Sequence, residues 1–132
     1  MFEDFELIHR YSRAQAIEDG VLIDVTETAR EAGFRFPVAM TAGAWGEAVT
    51  WTDVDAEKSC IAQDESGRLW DVLWMARFAL HALRDSSVRR APFTFLRVPR
   101  GGRRATRFTL DIICGPSDEG EPVLTILLQD ED

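Results

Sequence analysis

Apolar and polar positions follow two regimes along this chain. From Gly67 to Arg84 the apolar residues recur at helical spacing, with Leu69, Val72, Leu73, Ala76, Ala79, Leu80 and Leu83 on one stripe. Trp70, Trp74 and Phe78 make a second line at i, i+4 and i+8, leaving Asp71, Arg77, His81 and Arg84 for water. A helix apolar over most of its circumference needs cover on two or more sides, so the pattern predicts a central buried helix over about 67–84. Trp70 and Trp74 are then expected to be mostly buried, and Trp74→Ala to cost about 3–5 kcal/mol. After Asp85-Ser86-Ser87 the period changes to two. Phe93–Val98, Thr106–Cys114 and Val123–Leu128 read as strands, with Arg100–Arg104 and Gly115–Gly120 as the turns between them.

The first half reads as short helices. Ser12 is placed as an N-cap with Gln15 three residues on, and Gly20 as a left-handed stop. Val21–Val25 is a strand-like or extended run, and Thr26 is expected to cap a second helix that ends at Gly33. Pro37 interrupts the alternation of Phe34–Val38 and argues against a central strand there. Thr41 caps a third helix running to Val49. Its Gly43 and Gly46 each cost about 1 kcal/mol relative to alanine and so point to close contact. Residues 52–66 are polar and acidic and read as a mobile loop, with Asp64 or Ser66 capping the central helix. Helices come first and strands last, which predicts an α+β domain over residues 1–132. A helical N-terminal half, with one central buried helix, rests on a C-terminal three-stranded antiparallel meander.

Composition narrows the class of function. The net charge of −8 opposes non-specific nucleic-acid binding, but it is unevenly spread. Residues 84–107 carry eight arginines and one acid, whereas residues 108–132 carry seven acids and no base. Arg97, Arg100, Arg103, Arg104 and Arg107 cluster on the glycine-tipped hairpin. They are the candidate binding residues for an anionic partner, and alternatively pair with carboxylates of the same chain or form a solvated edge that blocks strand-to-strand aggregation. Only two histidines and two cysteines are present, and none falls in a metal-ligand spacing, so no metal and no cofactor is expected. The acidic start Met1-Phe2-Glu3-Asp4 lacks the basic region of a signal peptide, and no apolar run reaches the length of a membrane span. A cytoplasmic protein with reduced thiols is expected.

Two resemblances add to this picture. Ile8-His9-Arg10-Tyr11-Ser12, ahead of a short helix and a glycine, is similar to the opening of ADP-ribosyltransferase domains, in which a strand carries His-Gly-Thr. That resemblance would make His9 and Tyr11 catalytic residues, although Arg10 stands where the glycine should be and no later strand carries the family's glutamate. The second resemblance covers roughly residues 11–128. Tyr11–Val25, Phe36–Thr41, Gly67–Met75 and Cys114-Gly115-Pro116 together resemble a family of uncharacterised small bacterial domains carried on plasmids and other mobile elements of proteobacteria. It implies an origin on mobile DNA more than an activity, and that neighbourhood points to an anti-defence or plasmid-maintenance role. The first expectation is a non-enzymatic accessory protein that binds another macromolecule, of anti-restriction or anti-CRISPR type. A protein partner is expected ahead of nucleic acid, and no membrane.

Overall fold

The computed structural model describes residues 12–85 and 87–131. In chain order the elements are α1 (Arg13–Glu18), β1 (Leu22–Asp24), α2 (Thr26–Glu31), β2 (Val38–Thr41), α3 (Ala42–Ala48), α4 (Asp53–Ser59), α5 (Glu65–Leu83), β3 (Arg90–Arg97), β4 (Thr106–Pro116) and β5 (Pro122–Leu128). The class is α+β, but the three-stranded meander is only part of the sheet. The observed sheet has five strands in the order β1-β2-β5-β4-β3, and β2 runs parallel to β5. Both strands added to the expected meander come from the supposedly helical half: β1 lies in the run read as strand-like, and β2 was not expected.

The proline rule misled because it applies to a position, not to its neighbourhood. Pro37 stands just before β2, and its carbonyl accepts a hydrogen bond from Leu124 N at 2.9 Å. The lost N–H therefore falls where the ladder begins. Val38, Ala39 and Met40 that follow are all buried, as a strand covered on both faces requires. Thr26 also departs from its expected role. It is the first residue of α2 rather than its cap, and its hydroxyl donates to Asp24 and accepts from Val38 N at 3.1 Å. The residue thus ties α2 to β2. The acidic stretch expected to be a loop contains α4, which opens with a reciprocal capping box between Thr52 and Asp55.

Other local signals act as expected. Ser12, Thr41 and Asp64 each accept a backbone N–H at the start of a helix, and Gly20 and Gly33 both have positive φ. At Gly43 a Cβ would lie 2.9 Å from a methyl of Leu128, so glycine lets α3 approach β5 without displacing that side chain. On the opposite face of the sheet, Arg13 reaches Thr125 Oγ1 and Leu124 O, both at 2.7 Å, while the Asp118 carboxylate accepts from Arg13 N and Ala14 N.

The core lies between α5 and one face of the sheet. Val72, Leu73 and Ala76 are fully enclosed, facing Phe93, Phe95, Leu110, Ile112 and Ile126. The second apolar line of α5 is not enclosed. Trp70 is 36% exposed, Trp74 43% and Phe78 63%, which corrects the expectation that both tryptophans are mostly buried. Leu73→Ala should therefore cost about 2–5 kcal/mol through the cavity it leaves. Trp74→Ala should cost only about 1–2 kcal/mol, the worth of surface ring and cation contacts. Urea unfolding of the two variants tests this, and a larger loss for Trp74→Ala would contradict it.

Candidate functional site

The exposed face of α5 is the most distinctive surface of the described residues. Asp64 caps the helix by accepting Gly67 N at 2.7 Å, which fixes where its faces begin. One turn apart, Trp70 and Trp74 stack with ring centroids 5.9 Å apart and planes inclined by 20°. The Arg77 guanidinium lies over the Trp74 ring at 4.4 Å. Further along, Phe78 borders a cleft of about 690 Å³ shared with Arg35, Phe36, Arg77, His81 and Arg84. Phe36, itself 46% exposed, reaches this cleft because the chain turns at Gly33, whose φ of +101° favours glycine. The result is an apolar strip about three turns long. Asp64, Asp71 and Ser66 lie around Trp70 at one end, and arginines gather at the other.

The arginine hairpin divides into two groups. Arg97 stacks over Phe108 at 4.2 Å and holds Glu47, with Nε to the Glu47 carbonyl at 3.0 Å and Nη2 to its carboxylate at 3.3 Å. Arg100 Nε meets Asp55 at 3.0 Å. Both therefore serve contacts within the chain, one of the three roles open from sequence. Arg103, Arg104 and Arg107 are exposed and make no ion pair or hydrogen bond among the described residues. His9 and Tyr11 lie outside the described residues. Among the described residues no group of three or more His, Cys, Asp or Glu side chains is placed to hold a metal ion. No helix among them is long and apolar enough to cross a membrane.

Sequence reasoning missed Arg68. It sits on α5 with only 5% exposure and belongs to neither apolar line of the helix. Its Nε donates to Val49 O at 3.1 Å, and its Nη1 to Val98 O and to Gln63 Oε1, both at 2.8 Å. The guanidinium also lies 4.8 Å from the Trp51 ring. Burial holds the Arg68 pKa below its ordinary value, with Arg97 acting in the same direction and Asp55 opposing. No sequence signal marks this role, because each carbonyl it binds is set by tertiary structure.

Asp55 carries the clearest pH signature. It is buried, accepts Thr52 N at 2.9 Å and pairs with Arg100. The Thr52 backbone N–H, ahead of Arg100, holds its carboxyl below the ordinary 3.8. A depressed carboxyl contributes stability that is complete above its unfolded pKa and is lost as pH falls through the folded value. Asp55→Asn should therefore lower the thermal midpoint at neutral pH, and its deficit should shrink once pH drops below about 4. Parallel midpoint curves for the two proteins down to about pH 2.5 would contradict this assignment.

The elements define a small α+β protein with an aromatic strip on its longest helix. Residues 1–132 match the family described as a family of unknown function, DUF6573, and the chain belongs to it. No curated protein and no solved structure matches the chain.

Proposed function

We propose that this protein acts by binding another protein, and that the exposed face of α5 is the binding surface. The observation that carries this reading is the uncovered line Trp70–Trp74–Phe78, continued by Phe36 and bordered by Arg35, Arg77 and Arg84. Large aromatic side chains left in water along one helix face, with arginines beside them, have the composition of an interface core. The rings are also held in place: Trp70 and Trp74 stack on each other, and Arg77 on Trp74. Little side-chain freedom is left to lose on association. The net charge of −8, with acids at the Trp70 end, favours a protein partner over a nucleic acid. In this reading the chain is a cytoplasmic accessory protein of plasmids and other mobile elements of proteobacteria, and its partner is a component of a host defence complex of restriction or CRISPR type.

The test is capture from a bacterial lysate with tagged full-length protein, with and without nuclease. A stoichiometric, nuclease-resistant protein should be recovered by the wild type. It should fall at least tenfold with Trp74→Ala/Phe78→Ala and persist with Arg103→Ala/Arg104→Ala/Arg107→Ala. Equal recovery by the aromatic double variant would overturn the proposal. Nuclease-sensitive recovery that depends on the three hairpin arginines would overturn it in favour of nucleic-acid binding.

A further inference from the structure

We infer that the cleft at the C-terminal end of the aromatic strip is an anchor for a carboxylate, an Asp or Glu side chain that the protein partner presents beside an apolar residue. The inference rests on the protein-binding reading above and adds the chemistry and polarity of what binds. Its starting point is Arg77. Among the described residues five arginines are at least partly covered, namely Arg13, Arg68, Arg77, Arg90 and Arg97. Arg13, Arg68, Arg90 and Arg97 each donate to carbonyl, carboxylate, amide or hydroxyl oxygens of the chain. Arg77 alone has no hydrogen-bond acceptor and no ion-pair partner among the described residues.

Arg77 is nevertheless held in position. One contact is the Trp74 ring at 4.4 Å. The side chain also passes over Gly33, where an added Cβ would stand 3.5 Å from Arg77 Nε and 3.7 Å from its Cζ. Neither neighbour claims the N–H donors. A guanidinium presents five donors in a planar fork that matches a carboxylate. A partly buried fork with its position fixed and its donors unused is prepared for an anion from outside the chain.

The surroundings narrow the ligand. Arg35, Arg84 and His81 share the cleft with Arg77, and no carboxylate lines it among the described residues. Phe36 and Phe78 supply apolar walls beside these arginines, so the favoured ligand joins one negative group to an apolar body. At the other end of the strip the one lining cation, Arg68, is buried and bound to carbonyls of the chain, and Trp70 shares the surface with Asp64 and Asp71. A polyphosphate running along the rings would meet those carboxylates, whereas a protein segment with an acidic residue at the Arg77 end and a neutral or basic residue at the Asp71 end would not. Charge complementarity therefore selects a protein segment and fixes the direction in which it lies.

The probe is a displayed library of random dodecapeptides, selected on immobilised full-length protein at physiological salt. Wild-type protein should enrich Asp or Glu next to Phe, Trp or Leu by at least fivefold over the starting library. Arg77→Gln should remove the acidic enrichment while keeping the apolar one, and Arg77→Lys should restore part of it. Arg84→Gln, at an exposed position, should weaken the acidic preference and keeps the test open if Arg77→Gln fails to fold by circular dichroism. Acidic enrichment that survives both Gln variants, no enrichment on wild type, or enrichment of Lys and Arg would each overturn the inference. Displacement of selected peptides by a twelve-residue oligo-dT would also overturn it, since the cleft would then prefer nucleic acid. Selection abolished by Trp74→Ala/Phe78→Ala but unchanged in Arg77→Gln and Arg84→Gln would leave protein binding standing and remove only the carboxylate anchor. Selection unchanged in all the variants would remove both.

Discussion

A helix with two apolar faces can bury only as much as its fold has layers to cover it, and this constraint shapes the whole molecule. The sheet covers one face of α5, where Val72, Leu73 and Ala76 are sealed. The short helices α2 and α3 also touch α5, yet Trp70, Trp74 and Phe78 stay exposed. What remains outside is the line of the largest rings. Burying one such side chain is worth about 1.5–3 kcal/mol, so leaving three partly in water forgoes stability that a partner can recover. The functional reading follows from this shortfall of cover.

The N-terminal end of the same helix is secured by polar contacts instead. Arg68 joins the end of α3 through Val49 O, the end of β3 through Val98 O and the connection before α5 through Gln63. Three segments far apart in sequence are thereby fixed around one turn of helix. Asp55, capping its own helix, meets Arg100 of the β3–β4 turn and adds a further tie at this end. Part of the arginine-rich segment is thus structural, which leaves the cations of the Arg77 cleft as a separate group at the other end of α5.

Local signals in the sequence were legible where the physics is local. Ser12, Gly20, Gly33, Thr41 and Asp64 act through backbone groups within a few residues, and each could be placed from its neighbours. The Thr52-x-x-Asp55 capping box was equally local, and was obscured by the acidic composition around it. Longer-range features were not legible. Periodicity identifies which side chains share a face, but not whether a layer exists to meet that face, so Trp70 and Trp74 looked like core. Pro37 hid β2 because the parallel partner that stabilises it, β5, lies more than eighty residues further along. Glu47 and Asp55, the partners of Arg97 and Arg100, are 50 and 45 residues away from them. The candidate site was legible as a set of residues on one helix line, and became a surface only once the sheet was seen to occupy the other side.

The central claim is that the aromatic line of α5 stands in water. Paramagnetic broadening of the indole N–H signals by a neutral gadolinium chelate tests it directly on the full-length protein. The Trp70 and Trp74 signals should broaden strongly, while that of Trp51, whose Nε1 is enclosed, should persist. Protection of Trp70 and Trp74 to the same degree as Trp51 would mean that the chain already covers this face, and would contradict the account.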